Sequence, residues 1–350
     1  MPKVAIIGTT TWGMTLGVVL ARKGLEVRLW ARTEEEADEL REAGPGPVLP
    51  PDVTFPSQLS VTSSLDEALA GAKAVILAVP SQKMRQNVRL AAGYLKGSVL
   101  IVSAAKGLES GSNKRMSQVI GEEIKPRLRS NICVLSGPNL SQEIIRNLPA
   151  AAVVASWDGA VARKAQRLLT TPDLCVYTNT DVIGVELGGA LKNVIALGAG
   201  MVDGLGYGDN AKAAFITRGL TEISALGVAL GASPVTLSGL AGLGDLIATC
   251  SSRLSRNHYV GEELTKGRSL TEIIDSMAGV AEGVGTTAAA WGLAQEFGLE
   301  MPITERVYKV LYEGADLQKV AAELMQAEVS HELAGRKWKL FSFLRPRGHP

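Results

Sequence analysis

Up to about residue 180 the chain alternates short β-branched runs with stretches of helical periodicity, and beyond that point the β-branched runs stop. The strand candidates are 4–7, 26–30, 60–62, 74–79, 99–103, 132–135, 152–155 and 174–177, with helical segments at 12–23, 82–94, 113–124 and 159–169. Strands that are apolar throughout must be covered on both faces, and parallel pairing needs long crossovers. Alternation with helices therefore implies a mostly parallel, doubly wound sheet. Such sheets bind ligands beyond the carboxyl ends of their strands, so the segments that follow each strand are where chemistry is to be sought.

The remainder reads differently. "DVIGVELGGALKNVIALGAGMVDGLG" and "DNAKAAFITRGLTEISALGVALG" have the length and apolar density of buried helices and are crowded with Gly and Ala, which let helices approach closely. The expected organisation is an α/β, Rossmann-like domain over 1–180, an all-α domain over 181–330 and a basic, aromatic tail over 331–350. The tail reads as a packed extension or a poorly ordered end, with a membrane-surface role as the alternative. Residues 43–59 hold five of the 15 prolines and are expected as a surface loop that cannot be a helix.

Charge and composition narrow the partners. The 36 Lys and Arg against 35 Asp and Glu give a formal charge of +1, no reason to expect nucleic acid. No apolar run reaches the roughly 18 residues of a membrane span. The start, "MPKVAIIG", enters a strand at once, so no signal peptide is expected. Cys133, Cys175 and Cys250 fit no disulfide or metal pattern and read as buried small hydrophobes in a reducing compartment, the cytoplasm.

The first strand, turn and helix, "VAIIGTTTWGMTLGVVLARKG", place Gly8, Thr10 and Gly13 where a dinucleotide turn has three glycines. Gly8 permits the turn and Gly13 permits close packing of helix on strand. The helix N-terminus would face a pyrophosphate. Thr10 adds a side chain where the middle glycine normally leaves room, so either its hydroxyl becomes a donor or affinity falls. An ordinary strand–helix connection is the alternative. After the second strand comes Arg32 rather than an acidic residue, which favours the 2′-phosphate of NADPH over the 2′-hydroxyl of NADH.

His258, His331 and His349 stand in no triad or metal-ligand spacing, so no metal site is expected and lysine is the better proton carrier. "SAAKGLE" brings Lys106 to the carboxyl edge of the sheet, and "LSGPN" turns at Gly137 and Pro138 above the same edge. "GGALKN" puts Lys192 and Asn193 inside an apolar helix, where a lysine either snorkels to solvent or works in a cleft. In "GLAGLGDLIATCSSRLSRNH", the glycines 239, 242 and 244 form a flexible run before Asp245. Ser255, Arg256 and Asn257 stand at a helix start, a phosphate-binding arrangement or a plain N-cap with a solvent-facing arginine.

Together these motifs, with "GVELGGALKNVIALGAGMVDGLGYGDNAKAAFITRGL" and "VAEGV", resemble the bacterial-type NAD(P)-dependent glycerol-3-phosphate dehydrogenases over nearly the whole chain. The resemblance implies hydride transfer between NAD(P)H and dihydroxyacetone phosphate, giving sn-glycerol 3-phosphate for phospholipid synthesis. By position it implies that Lys192 exchanges a proton with the C2 oxygen and that Lys106 is the second lysine, near nicotinamide and substrate. Asn193, Asp245 and Thr249 match residues around the reacting carbon. Arg256 and Asn257 match a phosphate clamp beside Ser255, and Gly137 and Asn139 match substrate contacts. Gly8, Thr10, Thr11, Trp12, Gly13, Arg32, Lys106, Ser141, Arg256, Val280 and Glu282 fall on cofactor positions. Thr10, the Asn139–Ser141 stretch and Gly285 depart from the family pattern, all at the cofactor or its rim. The rival readings are a related dehydrogenase with another small acid or phosphorylated substrate, and a non-catalytic nucleotide-binding paralogue. A homodimer is the commonest assembly for such enzymes.

Overall fold

The structure, a computed structural model, describes residues 2–277 and 279–325. Eight strands form one sheet: β1 (Lys3–Ile7), β2 (Glu26–Trp30), β3 (Leu59–Thr62), β4 (Ala74–Leu77), β5 (Leu100–Ser103), β6 (Ile132–Ser136), β7 (Ala150–Ala155) and β8 (Leu174–Asn179). Their order is β3-β2-β1-β4-β5-β6-β7-β8, and every pair is parallel except β6 with β7. All eight strands coincide with the expected runs to within two residues at each end. Apolar residues pack both faces. Val4 and Ile6 of β1 belong to one core and Ala5 and Ile7 to another, because alternate side chains of a strand leave opposite faces.

Around this sheet lie α1 (Thr11–Arg22), α2 (Glu34–Ala43), α3 (Leu65–Leu69), α4 (Met84–Ala92), α5 (Met116–Glu123), α6 (Ser141–Ile144) and α7 (Gly159–Leu169). From residue 182 the chain is helical: α8 (Val182–Gly204), α9 (Gly208–Ala229), α10 (Pro234–Leu237), α11 (Asp245–Ser251), α12 (Arg256–Thr265), α13 (Leu270–Asp275), α14 (Glu282–Glu296), α15 (Pro302–Tyr312) and α16 (Leu317–Met325). A third core, of Leu108 with residues between Leu187 and Leu311, holds this half together.

The α8 helix is the axis of the helical half. It is long and apolar enough to cross a membrane by length and composition, with a mean hydropathy of 1.4 over its most apolar window, yet 89% of that window is buried inside the protein. The expectation that no apolar run reaches that length is therefore corrected, and the helix is the core of a bundle. Glycine makes this possible. A Cβ on Gly200 would stand 2.0 Å from His258 O, and one on Gly261 1.9 Å from Leu197 O, so α8 and α12 meet backbone to backbone.

The Glu186 carboxylate on α8 joins the two halves. It accepts from Ser117 N at 2.7 Å, from Ser117 Oγ at 2.5 Å and from Arg115 Nη1 at 2.5 Å, capping α5 from across the boundary.

Three further expectations need correction. Cys133 and Cys250 are buried, but Cys175 is exposed, because it sits on the outward face of the edge strand β8. The proline-rich stretch contains a short 3-10 turn, Gly46–Val48, since a tight turn tolerates proline at its first positions. Leu49 and Val53 from the same stretch pack into the sheet's core. The glycines 239–244 are not a flexible run: Leu240–Gly244 forms a π-helical turn in which a Cβ on Gly242 would meet Leu237 O at 1.9 Å. The tail 331–350, with His331 and His349, lies outside the described residues.

Candidate active site

The first turn is built around its two glycines. Gly8 has φ +116°, and a Cβ there would stand 2.7 Å from Ala78 O; a Cβ on Gly13 would lie 2.1 Å from Gly8 O. Both positions exclude any side chain. Thr10 is the N-cap of α1: its hydroxyl accepts from Gly13 N at 3.1 Å and donates to Ala78 O at 2.6 Å. The hydroxyl is thus a donor to the sheet, and the first-turn N–H groups of Thr11 and Trp12 have no partner within the helix. Trp12 Nε1 is buried without a hydrogen-bond partner among the described residues. Arg32, exposed, lines a cleft of about 310 Å³ with Gly8 and Thr10.

At the carboxyl ends of β5 and β6, two lysines meet one carboxylate. Lys106 Nζ lies 2.7 Å from Asp245 Oδ2 and donates to Gly137 O at 2.7 Å. Lys192 Nζ lies 2.9 Å from Asp245 Oδ1 and donates to Thr249 Oγ1 at 2.5 Å. Thr249 in turn donates to Asp245 O at 2.7 Å. Lys192 is 6% exposed and Asp245 2%, so this lysine does not snorkel; it is held inside. Gly137 reaches its place through a φ of +125°, which aims its carbonyl at the lysine.

Electrostatics tune this trio. Burial pushes Lys106 down to about 8, with Asp245 opposing and Lys192 assisting. Burial alone would raise Asp245, but the two ammonium groups hold it below the usual carboxylate range.

A chain of amides runs behind the lysines. Asn193 Nδ2 donates to Lys106 O at 3.0 Å, Asn257 Nδ2 donates to Asn193 Oδ1 at 2.8 Å, and Gly283 N donates to Asn257 Oδ1 at 2.9 Å. Ser255 is the N-cap of α12, its hydroxyl accepting from His258 N at 3.2 Å. Arg256 opens that helix, and among the described residues no carboxylate lies within salt-bridge distance of it. His258, buried, faces Asp203 through Nε2 at 2.7 Å.

The remaining positions are more scattered. Asn139 Nδ2 donates to Ala151 O at 3.0 Å, while its Oδ1 is buried without a partner among the described residues. Ser141 begins α6, and Val280 is 45% exposed. The Glu282 carboxylate accepts from Ser81 N at 2.8 Å and from the Ser81 hydroxyl. Burial pushes its pKa up against those bonds and the Arg256 charge. The sequence reading did not mark Ser81, which bonds Glu282, Glu36, which accepts from Arg32 N, or Glu186, which ties α8 to α5. Only Glu36 had a visible signal, as an acidic residue shortly after the second strand.

A doubly wound sheet with a glycine-turn cleft, whose carboxyl edge carries one lysine against a second lysine and a buried aspartate from a helical half, defines a nicotinamide-dependent oxidoreductase. Residues 3–162 match the family model for the NAD-dependent glycerol-3-phosphate dehydrogenase N-terminus, and 181–322 match that for the C-terminus. The chain belongs to the NAD-dependent glycerol-3-phosphate dehydrogenase family. It is 63% identical over 348 residues to a glycerol-3-phosphate dehydrogenase (NAD(P)+) of Dehalococcoides mccartyi, covering 99% of this chain and 97% of the relative. A namesake from Geobacter metallireducens is 47% identical over 330 residues, covering 94% and 98%. The crystal structure of glycerol-3-phosphate dehydrogenase from Coxiella burnetii superposes with a TM-score of 0.88 at 36% identity, over 93% of this chain and 99% of that one.

The residues present fit a dinucleotide. The turn leaves no room for a Cβ at Gly8 or Gly13, the start of α1 presents free N–H groups, and the buried Trp12 Nε1 is an unused donor beside them.

Proposed function

We propose that this enzyme interconverts dihydroxyacetone phosphate and sn-glycerol 3-phosphate with NADH or NADPH, through Lys192, Lys106 and Asp245. The observation that carries this reading is the pair of ammonium groups on opposite oxygens of Asp245, at the sheet edge where such folds bind their ligands. The division of labour broadly follows the chain: the domain over 1–180 is the dinucleotide-binding half, and the helical domain over 181–330 carries most of the substrate and catalytic residues. Lys106, Gly137 and Asn139 reach the substrate from the first half, and Val280 and Glu282 the cofactor from the second.

Gly8, Thr11, Trp12, Gly13, Arg32, Ser141, Val280 and Glu282 line the cofactor's path in this reading. When bound, the reduced nicotinamide supplies a hydride to C2 of the ketone. Reduction puts negative charge on the C2 oxygen, and the Lys192 ammonium stabilises that charge and gives up its proton. In the reverse direction the neutral amine takes the proton back. Lys106 is the second cation beside the developing oxyanion, and Asp245 keeps the two like charges together. Thr249, one turn further along α11 from Asp245, holds the Lys192 amine beside that carboxylate.

Arg256, with no salt-bridge partner among the described residues and at the start of α12, binds the substrate phosphate together with the helix N–H groups. The Ser255 hydroxyl acts there as a cap. Asn193 and Asn257 hold the lysine loop and the phosphate helix in register. Gly137 and Asn139 close the substrate side of the site.

Three wider features belong to the same reading. The chain works in the cytoplasm, consistent with its three free cysteines; it assembles as a homodimer; and its product supplies phospholipid synthesis. Initial rates of NADH and NADPH oxidation with dihydroxyacetone phosphate, beside ketopantoate as a control, test the activity. Turnover of the first ketone is expected. Turnover of ketopantoate alone moves the chain to a related dehydrogenase, and NADPH binding without oxidation makes it a nucleotide-binding paralogue.

A further inference from the structure

The nucleotide cleft contains a charge that opposes Arg32. Glu36 sits in the first turn of α2, yet its carboxylate turns back across the cleft that Gly8, Thr10, Arg32 and Asn87 also line. Its Oε2 accepts the Arg32 backbone N–H at 2.9 Å, and its Oε1 accepts the hydroxyl of Thr9, a residue of the glycine turn. Both oxygens are therefore anchored, one to the strand end after β2 and the other to the turn after β1. Neither bond uses the Arg32 guanidinium, and among the described residues no carboxylate lies within 4.0 Å of it. The cleft thus holds one fixed negative group and one cation that do not neutralise each other.

In a doubly wound sheet, the group at the end of the second strand reads the adenosine ribose: a carboxylate accepts the 2′-hydroxyl of NADH, and an arginine pairs with the 2′-phosphate of NADPH. Here the carboxylate comes not from the strand end but from the helix beyond it. Each Glu36 oxygen has a further lone pair with which to accept a ribose hydroxyl. A 2′-phosphate at the same place would meet an anion that can move away only by breaking its bonds to Thr9 and to Arg32 N.

We propose that Glu36 is a specificity-determining residue for the cofactor: it favours the unphosphorylated ribose, while Arg32 favours the phosphorylated one. Use of either cofactor then reflects a balance between two opposed charges in one cleft. The proposal rests on the nicotinamide-cofactor reading of that cleft.

The test is direct binding of NADH and of NADPH to the full chain, followed by the fluorescence of the reduced nicotinamide, for wild type, Glu36→Gln, Glu36→Ala and Arg32→Ala. Glu36→Gln keeps the shape and removes the charge. It is expected to shift the ratio of the two Kd values towards NADPH by on the order of tenfold at low salt, and by less at high salt. Arg32→Ala is expected to shift the ratio the other way.

A purely structural cap on α2 would behave differently: both glutamate variants would lower the melting temperature and weaken the two cofactors equally. That result overturns the proposal. If Glu36→Gln does not fold, the ratio in Glu36→Ala decides by the same criterion. Wild-type protein that binds neither cofactor defeats the cofactor reading itself, whereas binding of both with an unmoved ratio defeats only the role of Glu36.

Discussion

Asn257 Nδ2 donates to Asn193 Oδ1 at 2.8 Å, which links the helix that starts at Arg256 to the helix that carries Lys192. The same two amides reach further, to Lys106 O on one side and Gly283 N on the other. Residues expected to touch substrate are thus also the struts that position the second lysine and the start of α14.

Asn257→Ala leaves a buried acceptor on Asn193 and a buried donor at Gly283 without partners. Each orphaned group costs about 1–3 kcal/mol. Chemical denaturation should show a loss of that order, and kcat should fall with it because Lys106 loses its backing. Unchanged stability would mean that the amides relax independently.

Lys192→Ala should abolish turnover while NADPH binding, read by nicotinamide fluorescence, stays nearly unchanged, because the lysine acts on the reacting oxygen and not on the nucleotide. Asp245→Asn should be the more damaging change to the fold. It leaves two ammonium groups against a neutral amide, and breaking a buried pair from one side costs about 3–5 kcal/mol. A melting curve and a fluorescence titration on both variants separate the two effects.

The pH dependence follows from Lys106, which burial pushes down to about 8. Ketone reduction needs the cationic site, so its kcat/KM should fall as pH rises through about 8, and alcohol oxidation should rise over the same range. The folded value lies below the ordinary 10.5, so the unfolded chain holds this proton more tightly between the two values. Stability therefore gains from this group as pH rises from about 8 to 10.5, while below 8 the penalty stays constant. Lys106→Met should flatten both profiles near pH 8, and an unaltered inflection would assign it to another group.

Thr10→Gly removes the cap on α1 and the bond to Ala78 O, at a cost below about 1 kcal/mol. It also opens the turn, so both reduced cofactors should bind more tightly. An unchanged Kd would show that the threonine leaves the pyrophosphate its room. Gly13→Ala is the control: with 2.1 Å from its Cβ to Gly8 O, the turn cannot keep its shape and cofactor binding should be lost.

The sheet was legible because runs such as Ala74–Leu77 are apolar on both faces, and only a covered strand reads that way. Lys192 and Asp245 stood out as charges in apolar surroundings and Lys106 as the charge delivered to the carboxyl edge after β5, and the structure brings the three together. What escaped depended on tertiary geometry. The α2 helix begins with three glutamates and buries only Ala37, so it carried little periodic signal, and nothing local showed that Glu36 would turn back to Thr9. Nothing in the sequence around Glu186 pointed to its partners, Arg115 and Ser117, which lie some seventy residues earlier at the start of α5. The run from Gly239 to Gly244 suggested freedom, but it forms a π-helical turn in which Gly242 answers to the close approach of the Leu237 backbone.

The contact of α8 with α12 at Gly200 and Gly261 has a consequence for the choice of substrate. With no atom to compress between the two backbones, the interval from the Lys192 amine to the first turn of α12 is set when the chain folds. In the proposed reading, one end of that interval handles the alcohol proton and the other grips the phosphate. The crossing then holds those two ends at one separation, so that neither helix can slide to suit a ligand.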